Sequence, residues 1–217
     1  MEIYRTDEEQ GEALKGWLRE NGLPLITGVL LGLAALFGIR AWTEYGDRYA
    51  EGASNLYTQL VAAIGAGQPE DAARAYDEMI KEFPGSEYAV LAALQMARVQ
   101  IEQDDLAGAR GQLQWAYEHA KDEGIKHSAR LRLARVLLGS GDADAAEQLI
   151  AGVDAPSYTV LYEDLRGDIA RARGDLEAAH AAYERALAAA PEQLSGRALI
   201  EAKRDDTVRV PDAGPQS

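Results

Sequence analysis

Apolar and polar positions follow two regimes along this chain. From Leu23 to Ile39 the sequence LPLITGVLLGLAALFGI carries no charge. Beyond it, apolar residues return at offsets of three and four, broken by short polar turns, which is the signature of amphipathic helices. The uncharged stretch rises about 25 Å as a helix, and extension to Gly22 and Trp42 brings it to about 30 Å, the thickness of a bilayer core. Arg40 lies near the far end, where it can snorkel, and Trp42 and Tyr45 suit the interfacial aromatic belt. Pro24 is expected in the first turn, where a missing N–H costs little. A core helix of a small domain seldom lacks a polar face for so long. A cleaved signal peptide would need a basic start and a small-x-small site. Here the start is acidic (Glu2, Asp7, Glu8, Glu9, Glu12), and Arg40-Ala41-Trp42-Thr43 is a poor site. The pattern predicts a short N-terminal segment (1–22) and an uncleaved single-pass anchor in membrane lipid (23–42).

Inside the span, Gly28 and Gly32 form a GxxxG pair, with Ala35 a turn further on the same face. Small residues there let a second helix approach closely, so this face is the candidate helix–helix contact. Before the span, Leu14, Trp17 and Leu18 fall at i, i+3 and i+4 and predict a short helix that lies on the membrane surface, continues the anchor helix or packs on a partner. Arg5, Lys15 and Arg19 precede the span while Arg40 and Arg48 follow it, which barely favours an inward N-terminus.

The remainder repeats. Ala72, Tyr76, Met79 and Pro84 recur as Ala179, Tyr183, Ala186 and Pro191 at the same offsets. Those offsets match the second half of a tetratricopeptide unit: an alanine for close helix packing, an aromatic for the groove beside it, and a proline that stops the helix. Two degenerate copies lie between, Ala109 with Leu113 and Ala116, and Ala146 with Ile150 and Val153; Lys121 and Tyr158 hold their proline positions. The anchor alanines are spaced 37, 37 and 33 residues apart. Gly67, Gly141 and Gly174 each stand five residues before an anchor alanine, and Asp104 does so before Ala109. These positions mark the turn within each helix pair. Leu56, Leu60, Leu94, Ala97, Leu133, Ala134, Leu137, Leu165, Gly167 and Ala170 fall on the first helices. After Pro191, Leu194, Ala198, Leu199 and Ala202 predict a closing helix, and residues 205–217 a disordered tail. The fold class is therefore all-α: one N-terminal transmembrane helix followed by a tetratricopeptide-like helical-repeat solenoid over residues 43–204.

Composition supports this and narrows function. Alanine is abundant, aromatics make up 7% and no cysteine is present, which excludes disulfides and thiolate chemistry. A formal charge of −14 repels phosphate backbones, so nucleic acid is not an expected partner. No HExxH, GxSxG, Walker A or GxGxxG pattern occurs. His119, His127 and His180 are in no metal spacing, and His180 is read as a solvated neighbour of Glu177. Asp104-Asp105 and Asp122-Glu123 fall where turns and helix starts are expected. No catalytic, cofactor or metal site is expected, and the chain is not read as an enzyme. A repeat solenoid usually offers a concave groove for protein segments. Tyr57, Tyr88, Arg130 and Glu163 are the candidate groove residues.

The N-terminal string adds a resemblance. Met1-Glu2-Ile3-Tyr4, Glu8-Glu9-Gln10, Glu12, Leu14-Lys15-Gly16-Trp17 and Glu20-Asn21-Gly22 lead into a span with Gly28, Gly32 and Gly38, closed by Arg40, Trp42 and Tyr45. With the repeats behind it, this resembles the ancillary SecYEG translocon subunit family (YfgM type) of Gram-negative bacteria. The resemblance implies a protein of the bacterial inner membrane, N-terminus cytoplasmic and repeat domain periplasmic. It implies association with the SecYEG translocon and with a membrane-anchored periplasmic chaperone of the PpiD type, and a role in handing newly translocated polypeptides to folding factors. A membrane-tethered scaffold for another envelope complex would use the same anchor and groove.

Overall fold

The computed structural model describes residues 7–208, all of whose regular elements are helical. The order is α1 (Asp7–Gly65), α2 (Pro69–Glu82), α3 (Glu87–Glu102), α4 (Leu106–His119), α5 (Glu123–Gly139), α6 (Ala143–Ile150), a 3₁₀ turn (Pro156–Tyr158), α7 (Thr159–Ala172), α8 (Leu176–Ala189) and α9 (Arg197–Val208). The chain divides into two compact units, Met1–Gly52 and Ala53–Ser217. The second unit starts at Ala53, and residues 43–52 continue α1 into it. No proline interrupts residues 40–52, and Glu44 and Arg48 pair across one turn at 2.5 Å, so the helix runs on.

α1 is a single helix of 59 residues, and Pro24 lies inside it rather than in its first turn. The helix begins upstream because Glu12, Leu14, Lys15 and Leu18 are good helix formers that outweigh Gly11, Gly16 and Gly22 between and around them. Pro24 removes one backbone donor and leaves the carbonyl one turn earlier without its helical partner.

In the second unit the first helices are the end of α1, then α3, α5 and α7; α2, α4, α6 and α8 are their partners. Ala72, Ala109, Ala146 and Ala179 are all fully buried, so each pair closes on a residue without a side chain to hold it apart. Leu60, Leu113 and Leu165 fill the spaces beside them and are also fully buried. Each such leucine contributes about 2 kcal/mol of burial. Tyr76 and Tyr183 fill the aromatic positions, with their hydroxyls bonded to Gln112 and Asp168. Pro84 and Pro191 are exposed and stand just beyond α2 and α8.

Four turns within the pairs have one geometry. Gly67, Asp104, Gly141 and Gly174 all have positive φ, at 68°, 61°, 85° and 78°. In each, two N–H groups donate back to the last helical carbonyls; at the second turn Asp104 N bonds Ile101 O and Asp105 N bonds Gln100 O. This pair of hydrogen bonds satisfies carbonyls that a helix end otherwise leaves open. The next residue then caps the following helix: Asp105, Asp142 and Asp175 accept from the N–H three residues on. Asp122 does the same at the start of α5.

Three expectations need correction. α6 ends at Ile150, so Val153, expected on its face, lies past the helix and is only partly buried. α9 does not pack through Leu199, which is 63% exposed, but through Ile200 and a cationic face. Arg197 donates to the carbonyls of Leu187 and Ala190, capping the C-terminus of α8, and Lys203 reaches Asp164 and Asp168 on α7. α9 also extends to Val208, so residues 205–208 are helical rather than tail; the rest of that expected tail, and Met1–Thr6, lie outside the described residues.

Candidate protein-interaction surfaces

The first surface is the apolar stretch of α1. Among the described residues it is the one helix long and apolar enough to cross a membrane, and none of its apolar window is buried. Val29, Phe37 and Ile39 are exposed, and Trp42, 80% exposed, projects freely. Gly28 and Gly32 have open space where a β-carbon would stand, so both stay available for close backbone approach. Ala35 and Arg40 are likewise exposed. Tyr45 lies 6.4 Å from Tyr49, ring centre to ring centre. Leu14, Trp17 and Leu18, on the preceding turns of the same helix, are exposed as well.

The second surface belongs to the repeats. Tyr57 on α1 and Tyr88 on α3 stand with ring centres 5.7 Å apart, both partly buried, so they brace consecutive first helices. Arg130 on α5 is half-buried: its guanidinium lies 4.9 Å from the Tyr117 ring centre and donates to the Tyr117 hydroxyl at 2.7 Å. Around it, His127 meets the Tyr162 hydroxyl at 2.7 Å and lies over the Tyr158 ring at 4.6 Å. This aromatic knot ties α4, α5 and α7 together. It went unforeseen because its members come from three separate helices.

Glu163, expected in the groove, is buried at 8% exposure. Arg166 donates to one of its oxygens at 2.5 Å and Arg185 to the other at 2.8 Å. It is a packing node between α7 and α8 and presents no carboxylate to a ligand. Its neighbour Asp164 is nearly as enclosed, its side chain 14% exposed, and lies within 4.0 Å of Arg135 and 2.7 Å of Lys203. A one-residue shift on a helix turns a side chain by about 100°, so the two adjacent acids meet different cations: Glu163 meets Arg185 of α8 and Asp164 meets Lys203 of α9.

Between α3 and α5 the repeats leave a cleft of about 370 Å³, lined by Leu94, Ala97, Arg98, Ile101, Glu102, Leu113 and Arg132. Its floor is apolar and its rims carry charge. Its floor residues Leu94, Ala97 and Leu113 are repeat positions of the second pair; the offsets do not mark Arg132 of the next pair, which stands at its rim.

Tyr76 and Tyr183 are neutral donors, to Gln112 and Asp168. Burial, assisted by Asp77, pushes the Tyr76 phenol up to about 12, and burial with the Asp168 hydrogen bond raises that of Tyr183. Tyr162 is raised by burial as well. His180 meets Thr207 at 3.0 Å and Glu184 at 3.9 Å, not Glu177, so it bridges α8 to α9. Asp105 and Asp122, the acidic turn residues, act as helix caps.

Comparison with known proteins covers both surfaces. The tetratricopeptide repeat-like domain family matches residues 15–209. An ancillary SecYEG translocon subunit of Escherichia coli is 35% identical over 184 residues, spanning 85% of this chain and 88% of that protein. Proteins of the same name from Haemophilus influenzae and Neisseria gonorrhoeae are 31% and 30% identical. The Haemophilus match spans 84% of this chain and 90% of the relative, the Neisseria match 94% and 99%.

Proposed function

Because the chain belongs to the family of ancillary SecYEG translocon subunits, we propose that it sits beside the protein-conducting channel and works by protein–protein binding. α1 anchors it in the inner membrane, with residues 1–22 cytoplasmic and the repeats periplasmic. The Gly28–Gly32–Ala35 face contacts a neighbouring membrane helix, and Arg40, Trp42 and Tyr45 hold the span at the interface. The repeat unit binds a membrane-anchored periplasmic chaperone of the PpiD type and helps newly translocated polypeptides pass to it, without a catalytic step. The observation that carries this reading is the extent of the likeness: the Neisseria relative is matched over 94% of this chain, apolar stretch and repeats together. An unpartnered, fully exposed apolar helix joined to a folded repeat unit also fits a tethered binding protein better than a free one.

Photo-crosslinking in intact cells tests it. One probe replaces Val29, 57% exposed in the span, and a second replaces Leu161, 43% exposed on α7. Channel adducts from Val29, with chaperone or exported-chain adducts from Leu161, are expected. Adducts to an unrelated envelope complex from both positions would overturn the reading in favour of a scaffold elsewhere.

A further inference from the structure

The cleft between α3 and α5 has the chemistry of a specific docking point, and we infer that it receives a partner segment in which an apolar side chain stands beside an Asp or Glu. This rests on the proposed binding role of the repeats and names the chemistry that such a partner must carry. The floor is built by Leu94, Ala97 and Leu113, at 8%, 1% and 0% exposure. The wall is Ile101, a large apolar side chain left 43% exposed at the cleft's edge. A space of about 370 Å³ accepts a leucine- or phenylalanine-sized side chain and part of the backbone that carries it.

The rims fix the polarity. On α3, Arg98 is already answered by Glu102 at 3.0 Å. On α5, Arg132 is exposed, and among the described residues no carboxylate stands in ion-pairing range of it. Arg135, one turn on along the same face, reaches Asp164 only at 4.0 Å. In a chain of formal charge −14, cations with so little acidic company mark a place where a carboxylate from elsewhere is welcome. The overall negative charge repels acidic partners at long range, so recognition depends on this local pair and on filling the apolar floor. An Asp or Glu at the α5 rim and an apolar residue over Leu94 and Leu113 satisfy both at once. A basic segment would meet Arg132 unfavourably and find Glu102 already paired.

The test uses the full chain in detergent micelles and fluorescent peptide amides, one with repeated Leu-Asp steps and a control with Leu-Lys. Fluorescence anisotropy is followed to millimolar protein. The Leu-Asp peptide should bind, and the Leu-Lys control about tenfold more weakly or worse. Arg132→Glu should reverse that preference, and Ile101→Asp should weaken both peptides; circular dichroism checks that each variant remains helical. Arg132 is exposed, so Arg132→Gln provides a second variant that loses the preference without reversing it. Equal binding of the two peptides, absence of binding by the Leu-Asp peptide, or an unaltered preference in Arg132→Glu would overturn the inference. Tighter binding of a neutral peptide with a free C-terminal carboxylate, or of decanoate, would overturn it in favour of a terminal or small-molecule acid. Channel crosslinks from Val29 are read separately, so the cleft can fail while the translocon reading stands, and the reverse.

Discussion

The ring of Tyr183 lies flat enough against the backbone of Gly167 that a β-carbon at that glycine would stand 2.5 Å from Cδ1 and 2.7 Å from Cζ. The same phenol donates to Asp168 at 2.9 Å, and Asp168 also accepts from Lys203 of α9 at 2.9 Å. Gly167 therefore sets how closely α7 and α8 approach, and the ring passes the constraint to α9. Gly167→Ala gains about 1 kcal/mol of helix propensity. It must also displace a fully buried ring, an overpacking cost of about 3 kcal/mol. The net loss is about 2 kcal/mol, read as a fall of roughly 4–8 °C in the thermal midpoint by circular dichroism. An unchanged midpoint would mean that the two helices part freely.

The second turn supplies the opposite case. Asp104 holds φ at 61°, where its three counterparts are glycines. An L side chain in that region is strained, while glycine adopts it freely. The exposed Asp104 side chain is not the cap of α4, since that role belongs to Asp105. Asp104→Gly should stabilise the repeat unit by about 0.5–1 kcal/mol after the extra entropy of the unfolded glycine is counted. A urea midpoint that falls instead would show that Asp104 makes a contact the turn depends on.

These two sites also show what the sequence made legible. Offsets of the alanines, the aromatics and the turn residues identified all four turns, Asp104 included, because each records a local geometric need. Gly167 was legible for the same reason. Glu163 was not: burial of an acid depends on Arg166 and on Arg185 from the next helix, and no spacing rule reports that. The closing helix was legible but its packing face was not, because a helix that packs through Arg197, Lys203 and one isoleucine has no apolar stripe to find. The helix over Leu14, Trp17 and Leu18 was legible, but its continuity with the span was one of three open readings, because Gly16, Gly22 and Pro24 lie along the way and no spacing rule says that the helix runs through them.

Glu163 should behave as a structural residue. A glutamine keeps one acceptor oxygen but turns an NH2 group toward the other arginine and removes the counter-charge; both arginine side chains retain some exposure, at 28% and 56%, and can be rehydrated. Glu163→Gln is expected to cost about 1–2 kcal/mol rather than the larger penalty of a fully buried pair. Crosslinking from Leu161 should be unchanged at a temperature where the variant is folded. Loss of those adducts without loss of stability would return Glu163 to the binding surface.

Alkaline stability follows from Tyr76. Its phenol titrates near 12 when folded, against an ordinary value of 10.0. A group raised on folding stabilises fully below the unfolded pKa, and the contribution disappears as pH rises through the folded one. Stability should therefore fall between about pH 10 and pH 12, by roughly 2–3 kcal/mol from this group. Tyr76→Phe should flatten the profile without abolishing it, because Tyr183 is raised by burial too. Coincident profiles for the two proteins would place the alkaline transition elsewhere.

The final prediction concerns the exposed stretch of α1. Gly28 and Gly32 leave open space on one face, and Ala35 follows one turn on. Leucine at both glycines adds apolar surface, so insertion is not weakened and α1 gains helix propensity. The repeat unit, whose core begins at Ala53, is untouched. What changes is the distance at which another helix can pack: without a hydrophobic drive between helices in lipid, close van der Waals fit supplies the attraction, and two leucines hold the backbones apart. Gly28→Leu with Gly32→Leu should therefore keep the protein in the membrane fraction with normal thermal melting, yet lose most channel adducts from the Val29 probe and most co-purified partners. A single Gly38→Leu, outside the pair, controls for bulk alone and should leave both readouts intact. If the double variant retains its partners at wild-type yield, association runs through the repeats, and the span serves only to hold them at the membrane surface.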